Sequence, residues 1–221
     1  MKTLRQEWLQ LLILAVPFCA VALLWDKLPG QMPMQWDANL HPVYYEPKIL
    51  ATLLLPCSNL AVTVLMMVLP RIDPRFAGYD AETKASLWHT FSIIRRTTTL
   101  FLSIVAVVVL LMSFHPAFPL TPILVVGLAV LLMIYGNLLT KLRPNWFFGI
   151  RTPWTMESRD VWVKTHRLGG RLMIGGGFCF LVLLAPPIQP YGVWVALAVA
   201  AFMAIVPVVY SYIVCARLRR G

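Results

Sequence analysis

The chain has 221 residues, of which 59% are hydrophobic and only 13% are charged, and its mean hydropathy is +0.75. A soluble domain carries charge on roughly a quarter of its residues, because charged side chains cover its surface. This composition excludes an ordinary soluble protein and predicts an integral membrane protein. The formal net charge of +10 is not gathered into a separate basic domain, which argues against direct binding of nucleic acid.

Six apolar runs are long enough, or nearly so, to cross a bilayer whose core of about 30 Å needs about 20 helical residues. They are Trp8–Trp25, Ile49–Leu69, Thr97–Phe114, Leu120–Thr140, Leu168–Ala185 and Tyr191–Val214. Backbone groups have no water partner in lipid, and the runs lack the alternation of barrel strands, so each is expected to be a helix. The first run has no small-residue cleavage site before Asp26 and is expected to be a retained span.

The positive charges are distributed unevenly between the loops. All but two of the 19 Lys and Arg fall on the termini and on alternate loops, and the two exceptions are Lys27 and Lys48 in the first loop. Since Lys and Arg are retained on the cytoplasmic side, this pattern orients the chain. The predicted fold is an all-α integral membrane protein with six transmembrane helices, both termini cytoplasmic, and short in-plane amphipathic helices. Residues 1–221 are expected to form a single polytopic domain, with an extracytoplasmic lid at 26–48 and cytoplasmic loops at 70–96 and 141–170.

One in-plane helix is predicted at residues 81–94, ahead of the third span. Leu87, Phe91 and Ile94 recur there at helical spacing with Trp88 beside them, a pattern typical of a helix lying at the membrane surface.

The second span carries polar residues on one face. Thr52, Pro56, Asn59 and Thr63 recur at helical spacing. Polar side chains inside a membrane usually bond to a neighbouring helix, so a packing role is preferred here to a substrate path. The four cysteines show no metal-binding or redox spacing and are interpreted as small core residues, so no metal or cofactor is expected.

The lid, DKLPGQMPMQWDANLHPVYYEPK, combines prolines with aromatic residues and is expected to be ordered and non-helical. Rigid aromatic side chains next to carboxylates suit the binding of a peptide or a lipid headgroup. The residues expected to face such a ligand are Trp36, Asp37, Tyr44, Tyr45, Glu46 and Lys48. The alternative is an aromatic belt that settles at the membrane interface.

The segment Asn145–Gly170, NWFFGIRTPWTMESRDVWVKTHRLGG, has more aromatic and basic residues than a plain connector between two spans needs. Thr155 is expected to cap a short helix. Trp162 and His166 are expected to lie on its inward face, and the Arg151 guanidinium is placed to hold carboxylates or carbonyls. The alternative is an amphipathic segment that rests on lipid headgroups.

GIRTPWT followed by VWVKTHRLGG resembles the signature of the SdpI family of bacterial membrane immunity proteins. The residues through which the resemblance implies partner binding are Asn145, Phe148, Gly149, Arg151, Thr152, Pro153, Trp154, Trp162, His166 and Arg167. Upstream, LPGQMPMQWDANLHPVYYEPK is similar to the extracytoplasmic motif of a domain of unknown function that accompanies this signature. Gln35, Leu40 and Val43 depart from that motif, which leaves the ligand's identity open.

The resemblance implies a multi-pass protein of the bacterial cytoplasmic (inner) membrane that protects the cell from a secreted peptide toxin. It also implies a cytoplasmic transcriptional repressor as an inner partner, with membrane lipids around the chain and no enzymatic activity.

Two other classes of function, a membrane enzyme and a transporter, find less support in the sequence. A membrane enzyme would have to use His166 with Thr165, Arg151 and Asp160, yet no HExxH, GxSxG, Walker lysine or carboxylate pair accompanies them. A transporter or lipid-handling protein is weakened because no charged residue is expected deep in a span and no inverted repeat relates the two halves.

Overall fold

The computed structural model describes residues 2–37, 42–115, 118–188 and 191–219, and for residues 2–6 and 36 it describes the backbone alone. The described chain is mostly helical. Its elements are α1 (Lys2–Leu24), β1 (Gln31–Trp36), β2 (Pro42–Pro47), α2 (Lys48–Val68), α3 (Pro74–Ala77), α4 (Ala81–Met112), α5 (Leu120–Leu139), α6 (Pro153–Glu157), α7 (Arg159–Val182) and α8 (Gly192–Leu218).

Five helices in the described part of the chain are long and apolar enough to cross a membrane. They are Glu7–Lys27, Lys48–Arg71, Ala81–Met112, Leu120–Leu139 and Gly192–Leu218. The predicted fifth span, Leu168–Ala185, falls largely within α7, which is not among the five. The first half of α7 carries four charged residues, and its second half contains a fifth together with three glycines, so the mean hydropathy of the helix is low. A multi-pass architecture is thus confirmed, while a sixth span and cytoplasmic termini stay predictions.

The break predicted after Ile94 is absent. α4 is one helix of 32 residues, so residues 81–94 and the third predicted span are continuous rather than an in-plane helix followed by a span. The residues between them, Arg95 and Arg96, are good helix formers, and no Gly or Pro occurs there that would end a helix. Leu87, Phe91 and Ile94 are buried on the same face, as their spacing predicted.

The predicted all-α class is wrong in one place, because the lid forms a two-stranded antiparallel hairpin. β1 pairs with β2 from Gln31 opposite Pro47 to Trp36 opposite Pro42. Prolines at both ends of β2 lower its strand propensity and hid the hairpin from sequence reasoning. They are tolerated because each strand of a two-stranded sheet has one edge without a partner.

By its internal contacts the chain divides into two compact units, Met1–Met66 with Arg95–Ile123, and Met67–Ile94 with Leu124–Gly221. The single polytopic domain stays a prediction. The first unit contains the hairpin, and the second contains the whole signature segment.

A polar cluster joins α1, α2 and α4 inside the first unit. Thr99 of α4 is its centre: the Gln10 amide donates to its hydroxyl at 2.6 Å, and the Thr63 and Thr99 hydroxyls are 2.8 Å apart. Asn59 donates to the Thr99 carbonyl at 3.2 Å and to the Ser103 hydroxyl at 3.0 Å. The predicted packing role of the polar face of α2 is therefore confirmed for Asn59 and Thr63.

One end of this cluster is an ion pair between the Arg95 guanidinium and the Glu7 carboxylate, 2.5 Å apart. The Arg95 side chain is only 6% exposed. A charged group inside the bundle was not expected from the sequence. It is accommodated because its partner comes from a second helix of the same unit.

We expect Asn59→Leu to lower the free energy of unfolding by about 1 kcal/mol, the size measured for hydrogen bonds between membrane helices. Leucine has a similar volume but cannot donate to the Thr99 carbonyl or the Ser103 hydroxyl. The measurement is unfolding by SDS titration in mixed micelles. Ser58→Ala, at an exposed neighbouring position, is the control. Equal stability of the two variants would show that this cluster contributes nothing measurable.

The cysteines are free, and three of them were placed wrongly by the sequence interpretation. Cys19, Cys57 and Cys179 are exposed on the apolar surface of their helices, and only Cys215 is buried. An apolar run that crosses lipid has no polar face to distinguish its outer side, so burial cannot be inferred from hydrophobicity alone.

Candidate functional site

The hairpin rests on the first unit through its base. Met32 of β1 is 2% exposed and belongs to an apolar cluster with Leu28, Val21, Ala51 and Leu110. These residues come from α1, α2 and α4 as well as from the hairpin, so β1 is held against the ends of three helices. A supported base of this kind leaves the opposite side of the hairpin free to present side chains rigidly.

The residues predicted to face a ligand divide into two groups. Tyr44 and Tyr45 are 49% and 51% exposed on β2, and Val43, which precedes them and is not in the predicted set, is 61% exposed. The Tyr44 hydroxyl donates to Glu46 at 2.8 Å, and this hydrogen bond to a carboxylate raises the pKa of Tyr44 above its ordinary value. Asp37 is half-buried.

Lys48 has an internal role. Its ammonium donates to the Trp25 carbonyl at 2.9 Å and lies 4.4 Å from the centre of the Trp25 ring. Its backbone N–H also donates to Gly30 at 2.9 Å, which closes the base of the hairpin. Lys48 therefore anchors the lid. The side chain of Trp36 lies outside the described residues.

In the second unit, the loop after α5 is organised by Asn145, which is 1% exposed. Its side-chain oxygen accepts from the backbone N–H groups of Phe147 at 3.0 Å and Phe148 at 2.6 Å. Its amide donates to the Arg143 carbonyl at 2.9 Å. The side chain thus replaces the backbone hydrogen bonds that a regular turn would supply.

Gly149 of this loop packs closely against His166 of α7. Gly149 has φ +105°, and a β-carbon on it would collide with the His166 imidazole. The Ile150 N–H donates to Nε2 of His166 at 3.1 Å, and Nδ1 lies 2.8 Å from the Trp162 carbonyl. Nε2 is therefore the unprotonated nitrogen, and Nδ1 carries the hydrogen and donates.

Trp162 lies under the same loop and is fully buried. Its indole N–H donates to the Leu142 carbonyl at 2.9 Å, and its ring stacks on His166 with centroids 3.9 Å apart. The inward face predicted from the spacing of Trp162 and His166 is confirmed, and Thr165 and Gly169 on the same face are buried as well.

The cap of the short helix α6 is Thr152, not Thr155 as predicted. Thr152 accepts from the Thr155 N–H at 3.2 Å, and Thr155 is the third residue of the helix and bonds back to the Thr152 N–H at 2.9 Å. Pro153 occupies the first helical position, where its missing N–H costs nothing. Thr152 also lies 3.0 Å from the Ser211 hydroxyl, which attaches α6 to α8. α7 has its own cap, Ser158.

Asp73 holds the signature segment from outside it, and the sequence interpretation missed this contact. Its carboxylate is buried, caps α3 through Arg75 N–H at 2.9 Å, and accepts from the Trp146 N–H at 2.8 Å. Arg75 in turn donates to the Met156 carbonyl at 2.8 Å. The sequence Asp-Pro-Arg did carry a signal, because Asp before Pro is typical of a helix start. The hydrogen bond between Asp73 and the distant Trp146 N–H had no signal in the sequence.

Glycines let α5 and α7 touch backbone to backbone. A β-carbon on Gly136 would lie 2.5 Å from the Gly170 carbonyl oxygen, and one on Gly177 would lie 2.8 Å from the Ala129 carbonyl oxygen. Seven residues separate the two contact positions on each helix, which is two helical turns. The two helices therefore pack at close range over two turns.

The signature residues fall into three groups by their exposure. Asn145, Thr152, Trp162 and His166 are buried and hold the segment together. Phe148 and Trp154 are half-buried, and Phe148 stacks on Phe91 with centroids 4.8 Å apart. The residues open to a partner are Gly149, Arg151, Pro153 and Arg167, together with Trp146, which is 52% exposed. Arg151 donates to the Trp146 carbonyl, so the predicted carbonyl contact is made within the loop.

This arrangement gives His166 no free nitrogen for acid–base chemistry. Burial lowers the pKa of His166 to about 4, so the ring is neutral at ordinary pH, and both nitrogens already have hydrogen-bond partners. Among residues 2–37, 42–115, 118–188 and 191–219, no three His, Cys, Asp or Glu side chains come together as a metal site would require.

Comparison with known proteins finds matches for two regions of the chain, the signature segment with the helices after it and the hairpin with the helices around it. Residues 141–211 match the SdpI/YfhL protein family, and residues 12–60 match a domain of unknown function, DUF1648. The chain is 24% identical over 182 residues to the immunity protein SdpI of Bacillus subtilis (strain 168), which covers 81% of this chain and 82% of that protein. No solved structure matches the present chain.

The DUF1648 region contains the whole hairpin with parts of α1 and α2, and the SdpI/YfhL region contains the loop after α5 with α6, α7 and most of α8. The resemblance drawn from GIRTPWT and VWVKTHRLGG is therefore confirmed, since residues 141–211 are similar to the SdpI/YfhL protein family and residues 12–60 to DUF1648.

Proposed function

We propose that this chain is an immunity protein of the bacterial cytoplasmic membrane that protects its cell from a secreted peptide toxin. The proposal is supported by the similarity to the immunity protein SdpI along four fifths of the chain. It is also supported by the rigid hairpin in the first unit, whose exposed β2 residues offer a peptide a surface of fixed shape.

The chemistry of the hairpin fits a peptide better than a small ion. Tyr44 and Tyr45 combine apolar rings with hydroxyls, and Glu46 adds a carboxylate beside them. Tyrosine loses little conformational entropy on binding, because it has only two rotatable side-chain bonds. Aromatic side chains on a supported strand are the usual anchors of protein–peptide contacts. In the predicted orientation this surface faces outward, where a secreted peptide arrives.

The deciding experiment expresses the chain in cells that are sensitive to a secreted peptide toxin and measures the lowest inhibitory toxin concentration. Wild-type chain is expected to raise that concentration, and Tyr44→Ser/Tyr45→Ser is expected to cancel at least about nine tenths of the protection, since buried aromatic contacts carry most of the energy of such interfaces. Membrane abundance is measured in parallel by immunoblotting.

Tyr191→Ser is the matched control, because Tyr191 is 65% exposed and is predicted to lie on the same side of the membrane. It should protect like wild type. If the double hairpin variant also protected fully, the hairpin would not be the toxin contact. If the wild-type chain gave no protection against any toxin of a representative panel, the immunity function itself would be contradicted.

A second part of the proposal concerns the signature segment, whose exposed residues would bind a cytoplasmic transcriptional repressor. Trp146 and Arg151 lie beside each other on the surface of the loop, and their exposure is the observation that favours a protein partner. We expect Trp146→Ala to preserve survival under toxin while abolishing the transcriptional response to it, measured with a reporter. Loss of survival without loss of the response would contradict this division of roles.

The other hypotheses find less support. The enzyme hypothesis depended on His166, whose nitrogens are both engaged and whose ring is held neutral. The SdpI relative is named as an immunity protein, which is not an enzyme class.

A further inference from the structure

A groove of about 350 Å³ opens in the second unit between the end of α5 and the middle of α7. It exists because the two helices touch through Gly136 and Gly170, which contribute no side chains to fill the space beside the contact. Asn137 and Thr140 line the wall that α5 supplies. The Thr140 hydroxyl donates to the Asn137 carbonyl at 3.0 Å, so the Asn137 amide is the donor left for a ligand.

The opposite wall is positively charged. Arg167 and Arg171 lie one helical turn apart on α7, both are exposed, and both border the groove. Within the described part of the chain, neither guanidinium forms an ion pair with a carboxylate. Two guanidinium groups at this spacing present several N–H donors to one site, a geometry suited to an anion with several oxygens such as phosphate.

The position of the groove along α5 indicates which kind of molecule would supply that phosphate. The groove lies at the C-terminal end of α5, one of the helices able to cross the membrane. Ile174 continues the groove as an apolar wall one turn beyond Gly170, on the side away from the α5 terminus. Phospholipid phosphates lie where a membrane-spanning helix ends, and basic pockets between such helices bind lipid headgroups.

We propose that this groove binds the phosphate of an anionic phospholipid, with Arg167 and Arg171 as the charged donors and Asn137 as a neutral one. The acyl chains would follow Ile174 into the bilayer. The site does not depend on the proposed immunity function, and it gives Arg167 a ligand of its own within the signature segment.

The test uses the full chain purified in a mild detergent, with native mass spectrometry to count bound lipids during titration. Phosphatidylglycerol is expected to bind in preference to phosphatidylcholine. Arg167→Gln/Arg171→Gln is expected to weaken phosphatidylglycerol binding by about tenfold, because charge-assisted hydrogen bonds are lost. The matched control is Arg159→Gln/Lys164→Gln, which removes the same charge from exposed positions of the same helix outside the groove and should bind like wild type.

A further pair of measurements separates the sources of phosphate and guards against misfolding. Soluble glycerol 3-phosphate in excess should fail to displace phosphatidylglycerol, and displacement would assign the groove to a free phosphate compound. Arg167→Lys/Arg171→Lys keeps the charge and should retain the preference for phosphatidylglycerol with weaker binding. Equal binding of the two lipids by wild type, or equal loss in the control variant, would overturn the proposal.

Discussion

Replacing Trp162 by alanine is expected to lower the free energy of unfolding by about 3–5 kcal/mol, the range for removing a fully buried large aromatic residue. The side chain is 0% exposed, so its loss leaves a cavity beneath the loop between α5 and α6. It also leaves the Leu142 carbonyl without its donor and His166 without the ring it stacks on. We expect this single change to detach the loop from α7.

The measurement is SDS-induced unfolding in mixed micelles, with limited proteolysis to locate the loosened segment. Trp162→Phe keeps an aromatic ring but loses the N–H and part of the buried ring volume, so it should cost about 1–3 kcal/mol. Trp154→Ala is the control for removing a tryptophan elsewhere in the segment, since Trp154 is half-buried and makes an edge-to-face contact with Tyr212. Wild-type stability of Trp162→Ala would show that the loop is not held in this way.

Stability is expected to fall by about 3 kcal/mol as the pH is lowered from 6.5 to 4, through the titration of His166. Burial lowers the pKa of His166 from 6.5 in the unfolded chain to about 4 in the folded one. Between these values the unfolded chain binds a proton that the folded chain does not, so acid favours unfolding. Above 6.5 the stabilisation is complete, and below 4 no further loss from this group is expected.

The check is a series of unfolding titrations at pH 7.5, 6, 5 and 4. His166→Gln should be less stable than wild type at neutral pH but should lose most of the pH dependence in this window. His89→Gln should keep that dependence, because His89 is exposed. An unchanged slope in His166→Gln would assign the dependence to other groups.

The inward face of α7 could be predicted from the sequence because its evidence is local. Trp162, Thr165, His166 and Gly169 recur at helical spacing, and a helix with that spacing must place them on one side. The same reasoning correctly predicted the buried face of α2, where Asn59 and Thr63 meet α4. In both cases the spacing of residues within a single helix was sufficient to predict its buried face.

The contacts that depend on distant parts of the chain could not be predicted. Asp73 binds the Trp146 N–H across 73 residues, and Thr152 meets Ser211 across 59. No local pattern distinguishes such a carboxylate or hydroxyl from an ordinary helix cap. The hairpin was missed for a different reason, since Pro42 and Pro47 obscure a strand that is tolerated only because it lies at a sheet edge.

The caps of α6 and α7 show how a correct motif can be assigned to the wrong residue. Thr152 precedes Pro153, and a proline at the first helical position marks the residue before it as the cap. Thr155 is also a residue type favoured at the start of a helix, which is why the sequence alone pointed to it. Both threonines take part in the capping box, but only Thr152 stands outside the helix.

The contact between Gly136 and Gly170 affects how mutational surveys of this chain should be interpreted. An alanine scan is designed to subtract interactions, yet at these positions it would insert a methyl group against a carbonyl oxygen that has no room to retreat. A phenotype there would record an added obstruction between α5 and α7 rather than a lost recognition group. Surveys that skip glycines would leave this helix junction untested.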